Sequence, residues 1–241
     1  MKATALEFRL RYLIHGVLYV LGFLAPWNYL LHLDTIRTWQ LLAAYLYRAG
    51  WLTFSAGTIA VLSAGILLAT LAAFLRTWGS AYLGASTVQS SAMLGDQVVA
   101  AGPYRYLRNP LYLGTFLHTL ALALLMPPSG AVFCIVLIGI LQLRLIAAEE
   151  AFLTQQLGEP YLGYRAQVPS LIPSLRAKLP PSHVLPNWSA AFLGEIYMWG
   201  VALSFAMAGW RYNAFLILQG VIASFGLGLV TRAFIPKTTA R

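Results

Sequence analysis

Six long apolar segments with almost no charge restrict what this chain can fold into. They run from about Tyr12 to Leu33, Trp51 to Leu75, Leu111 to Met126, Gly130 to Ala148, Trp188 to Trp210 and Tyr212 to Val230. A helix needs about 20 mostly apolar residues to cross a bilayer. Of the 241 residues, 59% are hydrophobic and only 10% are charged, whereas about a quarter is charged in soluble domains. We therefore expect an all-α, polytopic membrane bundle of about six transmembrane helices, forming a single domain over residues 1–241.

The positions of lysine and arginine favour one orientation of this bundle. With a cytoplasmic N-terminus, 13 of the 16 Lys and Arg residues fall on the inner side, and the outer loops carry Arg37, Arg48 and Arg211. Because cytoplasmic loops are enriched in these residues, we predict that both termini are cytoplasmic. The basic residues stand singly between apolar segments, so the net charge of +9 indicates membrane topology rather than nucleic-acid binding.

Two long inner loops, about 76–110 and 149–187, are expected to face each other on the cytoplasmic side. Between them, Pro127-Pro128-Ser129-Gly130 predicts a tight link between the third and fourth helices. Such a hairpin places its two charged ends at similar depth. On the second helix, Ala56, Ala60 and Ala64 recur every fourth residue with Gly57 and Gly65 beside them, which predicts a close-packing face.

The segment from Gly102 to Gly114 contains the strongest local signal for a binding site. Asn109 and Pro110 are typical of the N-cap and first position of a helix, whose free N–H groups favour an anion. Arg105 and Arg108 can bind a carboxylate or a phosphate. Ring faces for a cation or a purine are offered by Tyr104, Tyr106 and Tyr112. The alternative is a cytoplasmic loop with interfacial aromatic residues.

A second signal, Glu149-Glu150, ends the fourth apolar segment. These acids can bind an ammonium group or ribose hydroxyls, and the alternative is a helix that emerges into water. At the same depth as the arginines, they would complete a site for an amino-acid-like ligand. Arg144 lies inside the same segment and is either functional or snorkelling. Glu195 is expected to make an interhelical polar contact and His118 to pack, and no histidine or cysteine spacing indicates a metal site.

The order Arg-Tyr-Leu-Arg-Asn-Pro-Leu-Tyr-Leu-Gly, from Arg105 to Gly114, resembles the Arg-His-Pro-x-Tyr-x-Gly signature of isoprenylcysteine carboxyl methyltransferases and related phospholipid methyltransferases. Glu149-Glu150 and the residues after it follow in that family's order: Gly158, Tyr161, Tyr164, Val168-Pro169 and Leu171-Ile172-Pro173. The resemblance covers roughly residues 72–175 and leaves residues 188–241 as a C-terminal extension of two helices.

This resemblance implies a membrane methyltransferase that uses S-adenosylmethionine and a lipidic acceptor, with its active site on the cytoplasmic side. By position, the cofactor site would include Arg108, Asn109, Pro110, Tyr112 and Gly114, with Tyr104, Arg105, Glu149 and Glu150 beside them. Asn109 replaces the family's histidine and cannot act as a base. If the acceptor is a carboxylate, as in isoprenylcysteine, no base is needed, and Arg144 would hold that carboxylate as a catalytic residue.

Two other functions stay open at this point. Membrane sterol reductases, which use NADPH, resemble the same Arg-x-Pro-x-Tyr region but usually have more helices before it. A carrier or scaffold is the non-catalytic alternative, although the two halves show no convincing repeat.

Overall fold

The computed structural model describes residues 2–90, 92–93, 95, 98–181, 184–209, 214–232 and 234. In this part of the chain every regular element is a helix. Twelve α-helices follow one another: α1 (Ala5–Arg9), α2 (Arg11–Leu24), α3 (Asn28–Leu31), α4 (Thr38–Arg48), α5 (Phe54–Leu83), α6 (Ala85–Gln89), α7 (Pro110–Ala123), α8 (Pro128–Leu157), α9 (Glu159–Gln167), α10 (Trp188–Gly194), α11 (Ile196–Gly209) and α12 (Ala214–Arg232). A 3₁₀ helix, Gly102–Arg105, precedes α7. The predicted all-α membrane bundle is therefore confirmed.

The number of spans differs from the expected six. Among the described residues, four helical segments are long and apolar enough to cross a membrane: Arg11–Leu31, Phe54–Leu83, Pro128–Leu157 and Phe215–Arg232. The pair α10 and α11 makes a fifth if it is one span, although it is bent by 67°. Helix α7 has 14 residues, about 21 Å, which is shorter than the hydrocarbon layer of about 30 Å. Of the predicted ends, Trp210 and Tyr212 lie outside the described residues.

Helices α5 and α8 are longer than predicted, with 30 residues each. Each therefore measures about 45 Å and exceeds the hydrocarbon thickness by several turns. The extra turns carry Arg76 on α5 and Glu149 and Glu150 on α8. The polar residues of the predicted site thus stand on the ends of continuous helices.

The hairpin of α7 and α8 is confirmed, since the two helices pack together across the link that includes Pro127. Asp34, from the loop before α4, caps the start of α8, because its carboxylate accepts from Ser129 N at 3.1 Å. Thr38, the first residue of α4, donates its backbone N–H to Met126 O at 2.9 Å. The backbone groups on both sides of the link, Met126 O and Ser129 N, are therefore hydrogen-bonded.

The predicted packing face of α5 is confirmed for its two glycines and wrong for two of its alanines. Ala60 and Ala64 are exposed, whereas Gly57 and Gly65 are buried. A Cβ on Gly57 would lie 3.2 Å from the carbonyl oxygen of Ala43 on α4, so the two backbones approach closely there. The glycines, which lack side chains, set the contact face, and the alanines beside them turn outward.

A buried ion pair joins α5 to the C-terminal helices. Arg76 donates from Nε to Glu195 Oε2 at 2.6 Å and from Nη2 to Oε1 at 2.8 Å. The Arg76 and Glu195 side chains are 12% and 4% exposed. Arg76 also donates to Thr115 Oγ1 at 2.8 Å, which adds α7 to the same junction. Glu195 lies at the bend between α10 and α11, and its predicted role as an interhelical polar contact is confirmed.

We expect Glu195→Gln to destabilise the protein by about 3–5 kcal/mol, because Arg76 would remain charged without its partner. A lower melting temperature in detergent would measure this loss. The double variant Arg76→Met/Glu195→Leu should recover most of the stability, since no unpaired charge remains. Melting of Glu195→Gln at the wild-type temperature would show that the ion pair does not hold the C-terminal helices.

Candidate active site

A cavity of about 1260 Å³ opens where the two inner loops meet the helix ends. It is lined by residues of α2, α5, α7, α8, α9, α11 and α12. A pocket for one drug-sized ligand has about 300–1,000 Å³. This cavity therefore has room for two ligands side by side.

Seven of the ten predicted site residues line this cavity: Tyr104, Arg108, Asn109, Pro110, Tyr112, Glu149 and Glu150. They come from the start of α7 and the inner end of α8. The predicted meeting of the hairpin's two charged ends is confirmed, since Arg108 Nη2 lies 2.9 Å from Glu150 Oε1. Arg105, Gly114 and Arg144 are not among the lining residues.

Glu150 connects several segments around the cavity. Its Oε1 accepts from Arg108 Nε at 3.0 Å, Asn109 Nδ2 at 3.3 Å and Ser170 Oγ at 3.3 Å. Arg165 Nε lies 3.6 Å from the other oxygen, Oε2. The start of α7, the end of α8, helix α9 and the loop after it are thus tied to one carboxylate. With these partners, Glu150 positions the site rather than offering a free charge.

Arg108 is also occupied by protein groups. Besides Glu150, its Nη1 donates to Arg165 O at 2.9 Å and to Val168 O at 2.5 Å. A guanidinium has five N–H donors, and four of them point at these partners. The sequence predicted that the Arg108 guanidinium would bind a ligand carboxylate. Most of its N–H donors are instead bound to protein groups.

Asn109 takes the predicted N-cap position of α7, with Pro110 in the first turn. Its side chain makes no capping hydrogen bond. Instead, Asn109 Nδ2 donates to Ser170 Oγ at 3.0 Å and to Glu150. The predicted position of Asn109 is confirmed, but the predicted capping bond is wrong. The amide bonds to the Glu150 carboxylate and the Ser170 hydroxyl instead, because both lie within its reach.

The two inner loops bind each other through their backbones. Arg108 N donates to Pro169 O at 2.8 Å, Asn109 N to Ser170 O at 3.1 Å, and Ser174 N to Tyr106 O at 3.0 Å. The prediction that these loops face each other is confirmed. Their pairing fixes the start of α7, which lines the cavity, against the segment after α9.

Glu149 has a different environment from its neighbour. It lines the cavity, is half-buried and forms no salt bridge with any residue in the described part of the chain. The Tyr112 hydroxyl lies next to its carboxylate. The other lining carboxylates, Glu150 and Glu195, are each held by arginine. A partly desolvated carboxylate without a cation is suited to bind an ammonium group, which would supply the missing charge.

Three tyrosines outside the candidate spans form the wall beside Glu149. Tyr164 donates its hydroxyl to Tyr104 O at 2.9 Å, and its ring lies 5.9 Å from that of Tyr161. Burial raises the pKa of Tyr161 to about 12 and that of Tyr104 well above its ordinary value. All three hydroxyls therefore stay protonated at neutral pH, and the rings present neutral faces to the cavity.

Gly114 and Arg105 support the site from outside the cavity. A Cβ on Gly114 would lie 2.7 Å from Arg76 Cγ and 3.1 Å from Ala72 O, so this glycine lets α7 approach α5. Arg105 donates from Nε to Leu179 O at 2.8 Å. Both residues hold the site's framework, and neither reaches the lining in this structure.

Arg144 binds the N-terminal segment. Its Nη2 lies 2.9 Å and 2.8 Å from the two carboxylate oxygens of Glu7, and Ala3 N donates to Arg144 O at 3.0 Å. Glu7 also completes a capping box with Thr4 at the start of α1. This geometry favours a docking role for Arg144, and its catalytic role stays a prediction.

The cavity contains polar residues that the sequence analysis did not assign to a site. Arg76 and Glu195 line it as a pair, and His118 lines it with Nε2 at 3.0 Å from Tyr197 Oη. Arg11 also lines it and is buried, donating to Val88 O and Ser90 O. One signal was available, since Glu195 is an acid inside an apolar segment and such a residue favours a buried polar contact, although the sequence does not specify its partner.

The arrangement of these residues agrees with one comparison with known proteins. Residues 60–160 match the model of the phospholipid methyltransferase family. The match confirms the resemblance found in the sequence and indicates a membrane methyltransferase. The matched segment runs from within α5 to the start of α9, so it includes the hairpin and both charged clusters. No curated protein and no solved structure matches the chain significantly.

Docking of the N-terminal segment on Arg144 should not depend on pH between about pH 5 and pH 8. Hydrogen bonding from Arg144 lowers the pKa of Glu7 to about 2, so the stabilisation is complete above the ordinary carboxyl pKa and is lost only as the pH falls towards 2. Hydrogen exchange of the Phe8 and Leu10 amides, corrected for intrinsic rates, would measure docking.

Glu7→Gln should lower this protection at every pH in that range. Glutamine preserves the capping box, so the change isolates the ion pair with Arg144. Exposed Glu159, on α9, provides the matched control as Glu159→Gln. Unchanged protection in Glu7→Gln, or a loss of wild-type protection between pH 8 and pH 5, would contradict the account.

Proposed function

We propose that this protein is an S-adenosylmethionine-dependent methyltransferase that acts on a lipid-like acceptor in the cavity described above. The observation that carries this proposal is Glu149, a half-buried carboxylate without an ion-pair partner among the described residues. It lies in a cavity that continues between apolar helices. The match of residues 60–160 to the phospholipid methyltransferase family supports the reaction class.

The residues at the mouth of the cavity fit the polar groups of this cofactor. Glu149 would bind its ammonium group, and the neutral rings of Tyr104, Tyr161 and Tyr164 would contact the adenine or the sulfonium. The Tyr104 hydroxyl is buried and has no hydrogen-bond partner among the described residues, so a ligand can satisfy it. Arg108, Asn109 and Glu150 would position this wall, and Pro110 and Tyr112 complete it.

Bound S-adenosylmethionine would supply a methyl group, the S–C electron pair returning to sulfur while a lone pair of the acceptor forms the new bond. The protein's task is then to align donor and acceptor and to exclude water. A site closed by α2, α7 and α11 provides an apolar surrounding for these groups. Asn109 carries no basic nitrogen, so an acceptor that is already deprotonated, such as the carboxylate of an isoprenylcysteine, suits this site.

The Lys and Arg distribution supports a cytoplasmic position for this site and for both termini. Of the residues used in that argument, Arg211, Lys237 and Arg241 lie outside the described part of the chain. Surrounding lipids are the natural source of an apolar acceptor, since α2 and α12 both line the cavity and expose apolar residues on their outer faces.

One binding experiment distinguishes this proposal from a reductase and from a non-catalytic protein. S-adenosylmethionine should bind the detergent-purified protein saturably in calorimetry, while NADPH run in parallel should not bind. Glu149→Gln should weaken binding about tenfold or more, because a charge-assisted hydrogen bond is lost. Exposed Glu159, changed to glutamine, is the matched control and should bind like the wild type.

Binding of NADPH without S-adenosylmethionine would move the assignment to a reductase. Folded protein that binds neither would favour a carrier or scaffold. Full affinity in Glu149→Gln would show that the cofactor's ammonium group lies elsewhere.

A further inference from the structure

Buried polar atoms without partners are concentrated around the cavity. Six such side-chain atoms occur in the described part of the chain, and five belong to residues that line the cavity: His15 Nε2, Ser80 Oγ, Tyr104 Oη, His118 Nδ1 and Gln142 Nε2. The sixth, Trp39 Nε1, lies elsewhere. Because unpaired buried polar groups are rare and costly, their clustering indicates that a ligand supplies partners there.

Two of these atoms lie much deeper than the proposed cofactor site. His118 is six residues beyond Tyr112 along α7, and Gln142 is seven residues before Glu149 along α8. At 1.5 Å per residue, both are about 10 Å further from the mouth. Since Tyr112 and Glu149 are neighbours and the two helices are antiparallel, His118 and Gln142 lie at similar depth.

The His118 ring is fixed by its surroundings. Nε2 lies 3.0 Å from Tyr197 Oη, and the rings of Tyr197 and Tyr19 meet it edge-on at centroid distances of 5.2 Å and 6.1 Å. His118 is only 1% exposed and Gln142 only 4%. When the Tyr197 hydroxyl donates to Nε2, the remaining Nδ1 carries the proton. His118 and Gln142 then both offer N–H donors to the cavity at one level.

The cavity beyond these two donors is apolar. Leu21 on α2 and Leu218, Val221 and Ile222 on α12 line it there. Helix α2 packs on α8, whereas α12 packs on α11 and α10, and both α2 and α12 line the cavity. A hydrocarbon chain can therefore continue from the donors into the space between them.

We propose that His118, Gln142 and Tyr197, the inner polar cluster, bind an oxygen atom of the methyl acceptor. This inference rests on the proposed function and defines its substrate class. The acceptor is a lipid whose methylated atom faces the methyl group of the cofactor held by Glu149. It carries a carbonyl or hydroxyl oxygen deeper in the cavity, about 10 Å from the level of Glu149. A plain fatty or isoprenoid chain would leave both donors unsatisfied, so the cluster discriminates against it.

Matched lipid pairs test the cluster without knowing the natural acceptor. One pair is a dioctanoyl glycerolipid and its dialkyl ether analogue, which lacks the carbonyl groups. The other is a long isoprenoid alcohol and the corresponding hydrocarbon. Binding to the detergent-purified full chain would be read as the shift in melting temperature with increasing probe concentration.

The wild type should bind the carbonyl- or hydroxyl-bearing member of at least one pair about tenfold more tightly. Which pair shows the preference distinguishes a glycerolipid from an oxygenated isoprenoid. Gln142→Met and His118→Leu should each lose the preference while binding the apolar member as before. Trp39→Phe removes an unpartnered donor outside the cavity and should keep the preference.

An equal response to both members of both pairs, including no response, would overturn the proposal, as would an unchanged preference in Gln142→Met and His118→Leu. Calorimetry with S-adenosylmethionine should give the wild-type affinity in both variants. A wild type that shows the lipid preference but does not bind S-adenosylmethionine would refute the proposed function and leave the oxygen-binding cluster standing.

Discussion

The buried ion pair between Arg76 and Glu195 connects the segment that matches the family model to the C-terminal helices. Arg76 belongs to the matched residues 60–160, and Glu195 lies outside them at the bend between α10 and α11. A charge in this setting is costly unless it is paired, so the two segments must come together for either residue to be tolerated. Both residues line the cavity. The C-terminal extension is therefore a wall of the site.

Two adjacent acids at the mouth of the cavity, Glu149 and Glu150, have different partners. Glu150 is surrounded by Arg108, Asn109 and Ser170, and it fixes the paired inner loops. Glu149 keeps its carboxylate free of any salt bridge with the described residues. Because both stand on the continuous helix α8, their relative positions are set by helix geometry. A rigid framework residue beside an unpaired one is what a preorganised binding site requires.

Local signals predicted most of the residues that meet at the cavity. The apolar segments, the proline-containing hairpin and the order of Arg108, Pro110 and Glu149 depend on residues close in sequence, which hydrophobic periodicity and capping preferences report. Contacts between distant segments were not predictable in the same way. The partners of Arg144 and Arg76 are Glu7 and Glu195, and nothing in the sequence specifies such pairings. Six spans were expected, whereas four helical segments of the described residues, or five with the bent pair α10 and α11, are long and apolar enough to cross a membrane. Helix α7 is not among them because it has only 14 residues.

The most direct test of the account is a structure of the full chain in lipid nanodiscs with S-adenosylhomocysteine, the demethylated form of the proposed cofactor. The account predicts that its amino group lies within hydrogen-bonding distance of Glu149 and that its ring contacts the wall formed by Tyr104, Tyr161 and Tyr164. Glu150 should keep its bonds to Arg108 and Asn109. Density for the ligand outside this cavity, or Glu149 in contact only with protein groups while the ligand is bound, would contradict it.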